Sequence, residues 1–182
     1  SVWCWGQNNM GQIGNGNAPV DATQGPVGIN LPPGRSAVAL AGGSQYSCAV
    51  LDDGSAVCWG SNNFGQLGIG NFVDMDEPTA VTAVPSNRTI AAISGSQQTT
   101  YAILDDGSLV SWGQGEQGQF GDGTYTATSL TARYASLPAG RTAISIAGGL
   151  EHVCAILDDN GAWCWGNNSY GQIGDGTTGT SR

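Results

Sequence analysis

The sequence predicts an all-β protein built from repeated propeller blades of four antiparallel strands, and three observations predict it. The motif Trp-Gly-x-x-x-x-Gly-Gln-x-Gly-x-Gly begins at Trp5, Trp59, Trp112 and Trp165. Its starts lie 54, 53 and 53 residues apart, too long for common helical or leucine-rich repeats and close to the longest propeller blades. Between the motifs run short apolar segments punctuated by glycine, proline and aspartate, the pattern of strands and tight turns.

The elements of one unit follow in order. Pro78 to Val81 reads as a short extended segment opening a unit. Thr89 to Gly95, Ala37 to Gly42 and Ala143 to Gly148 follow as strands, with Val38/Leu40 and Ile144/Ile146 spaced by two as in a half-buried strand. Tyr46–Leu51 and Ser55–Trp59 then form a hairpin around Asp52-Asp53-Gly54. A three-residue loop built on a type I turn needs a left-handed residue at its third position, where glycine is easiest and asparagine the usual substitute. Gly54, Gly107 and Asn160 hold that position.

This turn sets the register: Leu51 opposes Ser55, Val50 opposes Ala56, Ala49 opposes Val57, and Cys48 opposes Cys58. The same counting opposes Cys154 to Cys164, whereas the third unit has Tyr101 opposite Ser111. Both cysteines of a pair are present or absent together, which predicts disulfides, because directly opposed residues lie within the span a disulfide tolerates. Closing a ring of about eleven residues is worth roughly 2.5 to 3 kcal/mol in the chain-entropy model, an upper figure for a hairpin already partly ordered when unfolded. Buried free thiols are the alternative. Zinc is disfavoured, with no Cys-x-x-Cys and a single histidine, His152. Cys4 matches Cys58, and its partner position falls before Ser1.

The chain therefore reads as one propeller segment, 1–182. Residues 1–16 are the C-terminal part of a repeat, 17–70, 71–123 and 124–176 are full repeats, and 177–182 begin a next unit or form a tail. Thirty glycines, seven prolines and few charges suit such a fold. Fourteen acids face five arginines (Arg35, Arg88, Arg133, Arg141, Arg182) and no lysine, for a net charge of −9. That balance argues against nucleic acid and anionic membrane as partners.

The runs Trp5 to Gly14, Trp59 to Gly68 and Trp165 to Gly174, with Gly149-Leu150-Glu151-His152-Val153-Cys154-Ala155-Ile156-Leu157, resemble the repeat signature of the regulator of chromosome condensation family. The resemblance covers essentially the whole chain. It implies a β-propeller, commonly of seven four-stranded blades, of which this chain holds about three and a half repeats. Departures fall in the third unit, where Gly115-Glu116-Gln117 replaces the asparagine-aromatic part of the motif. Tyr46 and Thr99 stand where the family has histidine. Family members include an exchange factor for a small GTPase that docks on chromatin, a plant ultraviolet-B photoreceptor and a secreted bacterial β-lactamase inhibitor. Fold alone transfers none of these activities.

Residue by residue, catalysis finds no support, and no cofactor or metal is expected. The glycine loops lack the Lys-Ser/Thr and following helix of a phosphate cradle. The Asp-Asp-Gly turns place adjacent acids at a hairpin tip rather than at alternating calcium-ligand positions. Trp5, Trp59, Trp112 and Trp165 recur once per repeat and read as core packing, with Trp3 and Trp163 extra. No Gly-Trp-Arg-His-Thr element of the photoreceptor type is present.

Asn87-Arg88-Thr89 and Asn167-Asn168-Ser169 are glycosylation sequons, Asn87 in a loop and Asn167 inside the motif. The loop Phe72, Val73, Asp74, Met75, Asp76, Glu77 mixes apolar and acidic residues and is the candidate partner-binding loop. Cover for a blade edge is the equal alternative. The functional expectation is a non-enzymatic, extracellular, disulfide-stabilised module for recognition of a protein partner or for self-assembly, secreted or at the cell surface and possibly glycosylated. The alternatives are an exchange-factor-like regulator of a small GTPase and a carbohydrate-binding propeller.

Overall fold

Thirteen strands and no helix make up the computed structural model, which describes residues 1–178. Blade I pairs β1 (Val2–Asn8) with β2 (Val20–Ile29). Blade II orders β3 (Ala37–Gly42), β4 (Tyr46–Leu51), β5 (Ala56–Gly60) and β6 (Met75–Ala80) in sequence. Blade III repeats this with β7 (Ile90–Gly95), β8 (Thr99–Leu104), β9 (Leu109–Gln114) and β10 (Thr128–Tyr134). Blade IV contains β11 (Ala143–Gly148), β12 (His152–Leu157) and β13 (Ala162–Gly166). All pairings are antiparallel. Gly179 to Arg182, including the fifth arginine and most of the expected tail, lie outside the described residues.

The hairpin register agrees with the turn argument: Cys48 pairs with Cys58, Tyr101 with Ser111 and Cys154 with Cys164. Gly54 and Gly107 both adopt φ of 78°, and Asn160 adopts 64°. Asn160 is the one left-handed residue other than glycine among the described residues.

Two readings of the strands are corrected. The segment around Pro78 does not open a new unit. It belongs to β6, the fourth strand of blade II, paired to β5 through Val57–Ala80 and Cys58–Thr79. The glycine-rich loop after β5 reverses the chain onto the same sheet, and the turn at Pro85 to Arg88 then carries it to the first strand of the next blade. Sheets and sequence repeats therefore run one strand out of phase. Met75, Asp76 and Glu77 of the candidate loop also lie within β6.

Val38 and Leu40 do not form an inward pair. A bulge skips Val38 between the Ala37–Leu51 and Ala39–Val50 pairings, and identical bulges skip Ala91 and Ile144. The extra residue leaves the ladder and the alternation reverses beyond it. All three bulged residues are exposed, and it is Ala39 and Ala41 that pack toward blade III.

The core lies between blades rather than within any one sheet. Val50 and Ala56 of blade II meet Ala102, Val110 and Trp112 of blade III. Tyr101, Ile103 and Leu109 of blade III meet Val153, Ala155 and Trp165 of blade IV. Burial of apolar faces between neighbours is what holds such repeat arrays together.

Candidate functional site

The repeat motif is explained by its place at these interfaces. Inside each loop an asparagine three residues after tryptophan accepts a main-chain N–H through Oδ1: Asn8 from Ile13 (2.9 Å), Asn62 from Leu67 (3.0 Å) and Asn168 from Ile173 (3.1 Å). The motif glutamine accepts through Oε1 from the residue two before it, as Gln12 does from Met10 and Gln66 from Phe64, both at 2.9 Å. Its main-chain carbonyl is thereby aimed outward.

The next blade grips that carbonyl. Trp59 Nε1 donates to Gln12 O (3.0 Å), Trp112 to Gln66 O (3.0 Å) and Trp165 to Gln119 O (2.9 Å). Ser47 Oγ and Thr100 Oγ1 add second donors to Gln12 O and Gln66 O at 3.0 and 2.7 Å. Val153 occupies the corresponding place in blade IV and has no hydroxyl to give. The glycine two residues after each glutamine lies under the indole, so that a methyl group at Gly68 would sit 2.5 Å from Trp112 Nε1. With φ near +66° at that position, glycine is required twice over. The main-chain amides of Gly65, Leu67 and Gly68 are bonded within their own loop.

The four motif tryptophans differ in exposure. Trp59 and Trp112 are 0% exposed and Trp165 is 8%, whereas Trp5 is 66% exposed. The indoles of Trp59, Trp112 and Trp165 are each covered by the loop of the unit before it. Trp3, two residues earlier on the same strand face, is exposed with it.

The third unit shows how the motif tolerates change. Gly115 replaces the asparagine, and Phe120 replaces the Ile or Leu that the asparagine would have bonded. A methyl group on Gly115 would lie 2.1 Å from the Phe120 ring, so the ring fills the space of the missing side chain. Gly115 N bonds instead to Ala127 O at 3.0 Å.

Disulfides join Cys48 to Cys58 and Cys154 to Cys164, each with a Cα separation of 4.1 Å. The first pair is fully buried and the second half-buried. Tyr101 and Ser111 are wholly buried at the equivalent place in blade III, and neither hydroxyl has a hydrogen-bond partner among the described residues. Burial pushes the Tyr101 phenol up. Burial also pushes up Tyr46, which donates to Thr99 O and accepts from Thr100 across the blade boundary. Cys4 is a free thiol, half-buried among Val57, Trp59 and Leu31, and its pKa is raised by that burial.

The opposite face carries a device the sequence reading passed over. Arg35 pairs with Asp52 and Asp53, Arg88 with Asp105 and Asp106, and Arg141 with Asp158 and Asp159. The paired aspartates of the three hairpin turns thus clamp arginines. Their signal was present as Pro-x-x-Arg recurring at Pro32, Pro85 and Pro138. Arg133 pairs with Asp122, so every described arginine is matched to an acid. The Ser55 and Ser108 hydroxyls and amides, with smaller help from the arginines, hold Asp53 and Asp106 below the usual carboxylate range. Burial opposes ionisation of Asp122, but Thr124 and Arg133 outweigh it. No group of three His, Cys, Asp or Glu suited to a metal occurs among the described residues.

On the loop face the candidate binding residues divide. Asp74 accepts the Asn62 amide at 2.6 Å, Asp76 receives Gly16 N at its carbonyl (2.8 Å) and Ala18 N at its carboxylate (3.4 Å), and Glu77 lies against Gly16. Met75 packs near Leu67. These four tie blade II together and to the first loop. Phe72 (49%) and Val73 (58%) stand out into solvent, and Tyr125 is exposed at the position of Phe72 one repeat later. Asn87 is exposed in its turn. Asn167 is half-buried with Nδ2 donating to Glu151 at 2.7 Å.

Sequence profiles of the regulator of chromosome condensation (RCC1) repeat match residues 1–50 and 53–103, and again 37–66 and 143–172. The chain belongs to the RCC1 repeat family. It is 30% identical over 175 residues to the ultraviolet-B receptor UVR8 of Arabidopsis thaliana, which spans 96% of this chain and 39% of the receptor. It is 27% identical over 184 residues to the mouse E3 ubiquitin-protein ligase HERC2, covering 97% of this chain but 4% of that protein. Among solved structures, human WBSCR16 superposes with a TM-score of 0.85 at 19% identity, over all of this chain and 46% of that one. Yeast RCC1 (Prp20), solved with Kap60, superposes at 0.79 with 25% identity, over 99% of this chain and 44% of that one. The chain thus spans less than half the length of these relatives, and it is an RCC1-type propeller segment.

Proposed function

We propose that this segment is a non-enzymatic protein-recognition module acting outside the cell, with its binding surface on the loop face around Phe72 and Val73. One observation carries the reading: the repeated polar groups of the motif are committed to holding neighbouring blades, while the variable loop beyond the motif presents adjacent apolar side chains to solvent. Exposed apolar loop residues on a rigid frame are the usual makings of a protein contact. Opposed cysteine pairs fit an oxidising compartment, and Asn87 is the accessible sequon. The net charge of −9 favours a basic or neutral partner over nucleic acid.

The test combines two measurements. Non-reducing peptide mapping of the protein from its own organism should return the Cys48–Cys58 and Cys154–Cys164 peptides joined, and Phe72→Ala with Val73→Ala should weaken partner binding at unchanged stability. Free thiols at all cysteines would sink the extracellular reading. The second reading, a regulator of a small GTPase, draws on the likeness to yeast RCC1 and would be carried by accelerated nucleotide release from a GTPase. A sugar-dependent change in tryptophan fluorescence would instead favour carbohydrate binding.

A further inference from the structure

A groove of about 290 Å³ lies on the loop face, where the first glycine loop meets the outer strand of blade II. Asn9, Met10, Ala18 and Pro19 line it from the first loop, and Asp74 and Asp76 line it from blade II. Each carboxylate is half committed. Asp74 Oδ1 accepts the Asn62 amide at 2.6 Å and Asp76 Oδ2 accepts the Ala18 amide at 3.4 Å, so Asp74 Oδ2 and Asp76 Oδ1 have no hydrogen bond among the described residues. Glu77 adds a third negative charge, against Gly16. No described arginine answers these charges, because Arg35, Arg88, Arg133 and Arg141 are each paired to other aspartates.

The carboxylate pair belongs to this blade boundary and not to the repeat. Gly60 pairs with Met75 and Gly113 with Ser129, so Thr128 and Leu130 hold the places of Asp74 and Asp76 one blade later. A methyl group at Gly65 would meet Leu130 where one at Gly11 would meet Asp76, so a leucine stands in blade III where blade II presents a charge. Exposed Phe72 and Val73 directly precede Asp74 and give the groove an apolar border.

We infer that this groove takes an arginine or lysine side chain from an extended basic segment of a partner protein, with apolar residues of that segment lying over Phe72 and Val73. The inference rests on the recognition reading above and specifies the partner's chemistry. Charge complementarity carries it. A guanidinium or ammonium between Asp74 and Asp76 brings donors to two carboxylate oxygens that receive none from this chain, and such charge-assisted bonds are roughly twice as strong as neutral ones. Met10 and Pro19 offer apolar surface along which the methylene stem of the cation can lie. A divalent metal ion is a poorer occupant, since no group of three ligating side chains stands together among the described residues.

Fluorescence anisotropy on the 182-residue chain tests this, with two labelled, capped peptides that alternate leucine with arginine or leucine with glutamine. The arginine peptide should bind about tenfold or more tightly than the glutamine peptide, and raising salt from about 50 to about 300 mM should weaken it several-fold. Asp74→Asn combined with Asp76→Asn keeps an acceptor for both main-chain amides. It should weaken the arginine peptide about tenfold, leave the glutamine peptide unchanged and preserve the circular dichroism spectrum. Equal affinity for the two peptides would overturn the inference, as would an arginine affinity unmoved by salt or by the paired substitution. Failure of the arginine peptide to bind at about 1 mM would overturn it too. If the charge readouts fail while Phe72→Ala with Val73→Ala abolishes binding of the glutamine peptide, the recognition reading stands and the cation groove alone falls.

Discussion

Trp112 Nε1 donates a hydrogen bond of 3.0 Å to the main-chain carbonyl of Gln66, reaching across a blade boundary to a residue 46 positions earlier. The two most recognisable residues of the repeat thus meet not within one motif but between successive motifs. The chain's stability is carried by these boundaries.

Replacing Trp112 with alanine removes a fully buried indole and should cost about 3 to 5 kcal/mol in urea unfolding. Trp5→Ala, at an exposed position, should change stability by less than about 0.5 kcal/mol. Comparable losses at both sites would mean that burial between blades is not what the tryptophans supply.

Gly115→Asn should be destabilising alone, by about 1 to 3 kcal/mol, because the Phe120 ring occupies the space the side chain needs. Adding Phe120→Leu should recover at least about 1 kcal/mol, since it restores the combination found at Asn62 and Leu67. A double-mutant cycle in guanidinium reads this coupling, and strict additivity would refute the compensation.

Limited reduction should open Cys154–Cys164 before Cys48–Cys58, because the first pair is half-exposed and the second is sealed between blades. Timed alkylation with mass spectrometry gives the order. Removing Cys48 and Cys58 together by alanine substitution should cost about 2 to 4 kcal/mol.

The depressed Asp53, Asp106 and Asp122 carboxyls set an acid limit on stability. Their folded pKa values lie below the ordinary 3.8, so their contribution is complete above that pH and is lost as pH falls through the lower folded values. Tm should therefore be nearly flat between about pH 5 and about pH 8 and should fall below about pH 4. Ser55→Ala and Ser108→Ala should reduce the steepness of that fall, as these residues make the leading contributions for Asp53 and Asp106.

Local features were legible from the residues alone. The period, the antiparallel hairpins, the opposed cysteines and the left-handed Gly54, Gly107 and Asn160 all follow from short-range geometry, in which a three-residue turn fixes the register of the strands it joins. The clamps of Arg35, Arg88 and Arg141 were equally periodic in the sequence, but their partners lie on a separate turn, and nothing local shows that the two turns meet.

What only the tertiary structure decided is which neighbour completes each element. A sequence repeat has no intrinsic starting strand, so the placing of β6 at the outer edge of blade II rather than at the start of blade III depends on how the glycine loop folds back. A bulge inserts one residue and reverses the faces of a strand, so Val38 leaves the ladder and it is Ala39 that packs toward blade III. Burial of the repeated tryptophans is set by the preceding blade, so Trp5 and Trp59 carry the same motif and opposite exposure. The sequence determined the blades through local turn and strand chemistry, and packing between blades decided which residues became core and which became surface.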